Sequence, residues 1–137
     1  DEVYADSNLF ITSVIDLGVK GDEARRVLER IKKGERRAYT STLTIDEILW
    51  VLQRLKNREI AYEAVKIIIG MSNLNFVSVN EEIMKLGIEL YGSYNLHPRD
   101  AIHLACMKSQ KLNVIISSDG DFDKIRGIKR IDFVGLK

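Results

Sequence analysis

Short β-like runs alternating with amphipathic helical stretches predict an α/β domain, a three-layer α/β/α sandwich around a short-stranded central parallel sheet. Two further observations support this class. Val114-Ile115-Ile116 is apolar without alternation, as a strand buried on both faces is. No repeat, low-complexity stretch or linker divides the sequence, so its 137 residues, 45% hydrophobic, read as one domain over 1–137.

Val3-Tyr4-Ala5 is a first strand, ending in Asp6-Ser7-Asn8, a cluster suited to capping the helix that follows. From Asp22 to about Lys33, Ala24, Val27, Leu28 and Ile31 recur at helical spacing up to Gly34, with Arg25, Arg26, Arg30, Lys32 and Lys33 opposite. Ala38-Tyr39-Thr40-Ser41 is a second strand. Ile45, Ile48, Leu49, Leu52 and Leu55 then mark a helix that Thr44 and Glu47 would open as a capping box. A helix from about Glu59 to Met71 carries an apolar arc, Ile60 through Ile69, wider than one core contact needs, which predicts a homodimer. Phe76-Val77-Ser78 is a third strand, and Ile83, Leu86, Gly87, Leu90 and Tyr94 give the next helix its buried side. Pro98, after His97, starts another helix at the position where a missing N–H costs least. After the strand at 114–116 comes Ser117-Ser118-Asp119-Gly120-Asp121, and a last strand is expected at Ile131–Val134.

Cys106 is the single cysteine, which excludes an internal disulfide and a cysteine-rich zinc site. No apolar run approaches the length of a membrane span and no basic-then-apolar leader opens the sequence, so a cytoplasmic protein without a membrane partner is expected. The net charge of +1 is silent about partners. Where the charges sit is more informative.

Ligands of parallel sheets bind beyond the carboxyl ends of the strands, where strand order reverses. Asp6 and the pair Asp119 and Asp121 follow strands, while Asp100 and Glu47 fall in first turns of helices. Carboxylates gathered at one edge repel unless a cation neutralises them, and a hard divalent ion, Mg²⁺ or Mn²⁺, is the economical occupant. Such ions hydrolyse phosphodiesters without a protein nucleophile.

Asp6-Ser7-Asn8, Glu47 within Thr44-Ile45-Asp46-Glu47-Ile48, Arg99-Asp100-Ala101-Ile102-His103-Leu104-Ala105 and Ser117-Ser118-Asp119-Gly120-Asp121-Phe122 together resemble the PIN-domain ribonucleases. The nearest likeness is to the compact toxins of VapC type from toxin–antitoxin pairs. The resemblance implies a Mg²⁺- or Mn²⁺-dependent endoribonuclease acting on structured RNA. Asp6, Glu47, Asp100 and Asp119 would be the catalytic, metal-binding quartet, and Asp121 an additional acid. Ser7 or Asn8 would orient Asp6, and an antitoxin protein would be the partner. Two alternatives share these residues: a PIN nuclease for RNA processing or decay without an antitoxin, and an RNA-binding module that does not cut.

Each acid also has an ordinary explanation: a helix cap for Asp6, a capping box for Glu47, the helix dipole for Asp100, and a turn for Asp119-Gly120. Co-occurrence in order favours the site. His103 reads as a partly buried, locally bonded histidine, His97 as a helix-start residue, Cys106 as core, and Trp50 as core or interface. Arg25 through Arg37 reads as a solvated face that would also suit RNA backbone, as would Lys124, Arg126, Lys129 and Arg130.

Overall fold

A computed structural model describes residues 2–134. The chain runs β1 (Glu2–Ala5), α1 (Ser7–Ile15), α2 (Val19–Lys32), β2 (Arg37–Ser41), α3 (Thr42–Leu55), α4 (Arg58–Ile69), β3 (Leu74–Val77), α5 (Glu81–Ser93), α6 (Pro98–Ser109), β4 (Val114–Ile116), a 3₁₀ turn (Gly120–Lys124) and β5 (Lys129–Ile131). All five strands are parallel, in the order β3-β2-β1-β4-β5. The expected three-layer architecture is observed. The strand order reverses between β1 and β4, so the crevice for a ligand lies above those two central strands.

Period-two alternation divides the core between the two faces of the sheet. Val3, Ala5 and Ile116 pack with Leu9, Phe10, Ile31, Ile48, Leu52 and Val65 of α1 to α4. Tyr4 and Ile115 pack with Leu90, Leu104, Ala105 and Met107 of α5 and α6 on the other face. Cys106 is a core residue, as expected.

Helix α2 starts at Val19, three residues before the predicted Asp22. Asp16 Oδ1 accepts from the backbone N–H groups of Gly18 (2.7 Å) and Gly21 (3.1 Å), so a residue outside the helix satisfies two of the N–H groups at its start. A Cβ at Gly21 would lie 1.8 Å from the Asp16 carbonyl oxygen, and only glycine lets the two helices meet so closely. The far end is a Schellman motif: Gly34 (φ +81°) donates to Ile31 O, and Glu35 donates to Arg30 O.

Three further expectations are corrected. Thr44 does not cap α3: the helix begins at Thr42 after Ser41, and the Thr44 hydroxyl bonds the Thr40 hydroxyl at 2.7 Å beneath it. Glu47 therefore lies in the second turn and has no capping role. The last strand is Lys129–Ile131, because pairing with β4 exhausts it there. Trp50 is half exposed, with the Arg54 guanidinium 5.5 Å from its ring, so of its two expected places, core or interface, the core is excluded. Of the predicted domain span 1–137, residues 1 and 135–137 lie outside the described residues.

Candidate metal-dependent nuclease site

The crevice above β1 and β4 is lined by acids whose placement follows from local structure. Asp6, 4% exposed, is the N-cap of α1, and its Oδ1 accepts from the Ser7 N–H at 2.8 Å. Its Oδ2 accepts from the Ser117 hydroxyl at 2.6 Å and, at 3.4 Å, from the Asn8 amide. Ser7 thus orients Asp6 through its backbone. Asn8 bridges the two strand ends, donating to Ser117 Oγ (3.2 Å) and accepting from the Ser118 N–H (3.4 Å). Ser117 also accepts from the Asp119 N–H at 2.9 Å, and Asp119 caps the 3₁₀ turn by accepting from the Asp121 N–H.

Asp100 stands in the first turn of α6, where Pro98 supplies the start and His97 the cap, accepting from the Arg99 N–H at 3.4 Å. Glu47 reaches the crevice from α3, its Oε1 2.6 Å from His103 Nε2. Two sets of ligand-capable groups result: Asp6, Glu47 and His103, then Asp100, Asp119 and Asp121. Within each set the ligand atoms lie within 4.8 Å of one another.

The electrostatics join the two sets. Burial, then the charges of Asp119 and Asp6, raise the Asp100 carboxyl to about 7. Asp6 is also raised, by burial first, with His103 and the Ser117 hydroxyl opposing. His103 is fully buried, which disfavours its charged form, but its bond to Glu47 and the charges of Asp6, Glu47 and Asp100 raise it overall. A donor set of oxygens whose members repel one another fits a hard divalent cation.

The expectation for His103 was wrong. It has no exposure, and its bonds reach Glu47 and Tyr4, 56 and 99 residues away in sequence. The available signal was its place three residues after Asp100, on the same helix face. Ser117 was also missed as a ligand of Asp6; its position directly after a central strand was the clue.

Several of the basic residues that would suit RNA backbone are engaged with acids or carbonyls. Arg130 pairs with Asp123 at 2.9 Å and donates to the Ser117 carbonyl, while Lys124 donates to the Asn95 carbonyl. Arg25, Arg26 and Lys32 pair with acids three residues away along α2. Among the described residues, no helix is long and apolar enough to cross a membrane.

Comparison with known proteins agrees with this fold. The PIN domain family pattern matches residues 3–128. Ribonuclease VapC2 of Methanocaldococcus jannaschii is 25% identical over 99% of this chain and 93% of its own. Ribonuclease VapC13 of Mycobacterium tuberculosis is 29% identical over 80% and 83%. Among solved structures, Mycobacterium tuberculosis VapC20, a Sarcin-Ricin loop cleaving toxin, superposes with a TM-score of 0.73 at 16% identity, covering 88% of this chain and 92% of that one. DNA-bound VapBC of Salmonella typhimurium does so with 0.74 at 16% identity over 96% and 98%. At these identities the two structures speak for the fold alone.

Proposed function

The chain belongs to the PIN-domain family, and from that premise we propose that it is an endoribonuclease, the toxin of a VapBC-type toxin–antitoxin pair. Its substrate is structured RNA in the cytoplasm, and it works as one nuclease domain. Asp6, Glu47, Asp100 and Asp119 hold Mg²⁺ or Mn²⁺, with Asp121 as a further acidic ligand. The observation that carries this reading is the gathering of five carboxylates at the strand-order reversal, with the Asp100 carboxyl raised to about 7 by burial and its neighbours' charges.

When bound, a divalent ion supplies a nucleophile from water and offsets phosphate charge. The chain's part is to hold the ligands still. The Ser7 N–H, the Ser117 hydroxyl and the Asn8 amide fix Asp6. Asp119 is held by its N–H bond to Ser117. The Asp100 carboxyl would hold such an ion in its charged form, and the neighbouring charges that raise it are what the ion would offset.

An antitoxin is the expected protein partner. A second copy of the chain is expected on α4, which turns Ile60, Tyr62, Ile67 and Ile69 to solvent. Incubation with total RNA tests the activity: cleavage is expected with Mg²⁺ or Mn²⁺ and none with excess chelator or in Asp100→Asn. Cleavage that survives chelation would overturn the metal mechanism, and unimpaired cleavage by Asp100→Asn would overturn the site.

A further inference from the structure

His103 lies beneath the carboxylates with both ring nitrogens engaged. Nε2 is 2.6 Å from Glu47 Oε1 and 3.8 Å from Asp6 Oδ1, and Nδ1 is 2.7 Å from the Tyr4 hydroxyl. The Tyr4 and His103 rings meet edge to face, with centroids 5.6 Å apart and planes at 64°. Three elements contribute: β1 brings Tyr4, α3 brings Glu47, and α6 brings His103. His103 and Tyr4 are completely buried.

An ionised carboxylate has only acceptor positions, so the hydrogen between Glu47 and the ring belongs to Nε2. In the neutral ring Nδ1 is then the acceptor, and the Tyr4 hydroxyl is its donor. Tyrosine, imidazole and carboxylate form one hydrogen-bonded chain, in which Nε2 donates to Glu47 whether the ring is neutral or charged. Phenylalanine at position 4 would fill the same space and leave Nδ1 without its partner.

Glu47 needs such a hold. Its side chain has three rotatable bonds and freezes at an entropic cost, and it stands next to the like charge of Asp6. His103 engages Oε1 and leaves Oε2 for a ligand. The ring itself is poorly suited to bind the ion, since both nitrogens are occupied and the favoured cations select oxygen. Nor does a fully buried imidazole reach RNA.

We propose that His103 is a positioning residue that holds the Glu47 carboxylate for the divalent ion, with Tyr4 fixing the orientation of the ring. This rests on the reading of Glu47 as a metal ligand. Hydrogen-bond partners of ligands alter metal affinity by about 10- to 100-fold in other sites, which sets the expected scale.

The test is Mn²⁺ affinity of the full chain by calorimetry, with a thermal melt of each variant. His103→Phe is expected to fold and to bind Mn²⁺ about 10- to 100-fold more weakly. His103→Gln keeps an N–H donor at a reach similar to that of Nε2, and is expected to recover affinity to within about threefold of the parent. Tyr4→Phe, which deletes one hydroxyl, is expected to lose about three- to tenfold. A folded His103→Phe protein with parental affinity overturns the proposal. So does a folded His103→Gln protein as weak as His103→Phe, because a donor alone would then not suffice. Should His103→Phe fail to fold, Tyr4→Phe decides: parental affinity overturns the proposal, and weakened affinity at an unchanged melting temperature supports it. If the parent binds no Mn²⁺ at all, the metal reading of the site fails first, an outcome distinct from every variant result.

Discussion

At Asp100 the folded protein retains a proton that the unfolded chain releases near pH 4. Its folded value of about 7 is set by burial and by the charges of Asp119 and Asp6. Between those two values the native state binds more protons than the unfolded state, so this group makes stability fall as pH rises through the window. A cation held among the carboxylates, as proposed, would reverse the penalty. Melts without divalent ion are therefore expected to show a lower melting temperature at about pH 8 than at about pH 5, and Mn²⁺ is expected to raise it more at the higher pH. An equal rise at both would contradict the account. Asp100→Asn removes the repelling charge. The metal-free variant is expected to gain on the order of 1 kcal/mol at about pH 8 in denaturant titrations while losing metal-dependent cleavage, a trade of activity for stability.

Among the elements, the helices and strands with strong periodicity were legible and the devices at their ends were not. Val114-Ile115-Ile116 announced a buried strand because every residue is apolar, and Gly34 announced the end of α2 because its positive φ suits glycine. The start of α2 was hidden: Gly21 looks like a break, yet it allows α2 to sit against Asp16, which caps from outside the helix. Thr44 and Glu47 have capping-box spacing, but both are claimed by other partners, Thr44 by Thr40 four residues before it and Glu47 by the distant His103. The order of the acids along the chain was readable; the histidine that links them was not, because its bonds join β1, α3 and α6, and no local pattern records contacts across such distances. Gly21→Ala tests the packing at α2. With backbone 1.8 Å from the new methyl, a loss of more than about 3 kcal/mol is expected in chemical denaturation. No loss, or the gain of roughly 1 kcal/mol that an ordinary helical glycine-to-alanine exchange brings, would mean that the helices part easily.

For the whole molecule, twenty acids against twenty-one bases give near neutrality, but five of those acids share one crevice, while Arg25, Arg26 and Lys32 pair along α2 and Arg130 pairs with Asp123. The apolar surface is uneven too. Ile67 on α4 is 63% exposed beside Ile69 and Tyr62. Ile67→Glu is expected to convert a dimer to a monomer in light scattering while leaving the melting profile two-state; a monomeric parent at micromolar concentration would remove the dimer. The division of the core has a consequence for when the protein becomes active. A chain emerging from the ribosome as far as α5 carries Asp6 and Glu47 but lacks His103, Asp100, Asp119 and Asp121, which come from α6 and the segment after β4. On the proposed reading of the site, such a chain holds two of the five acids, so the ion's full ligand set exists only once α6 and the segment after β4 have been added.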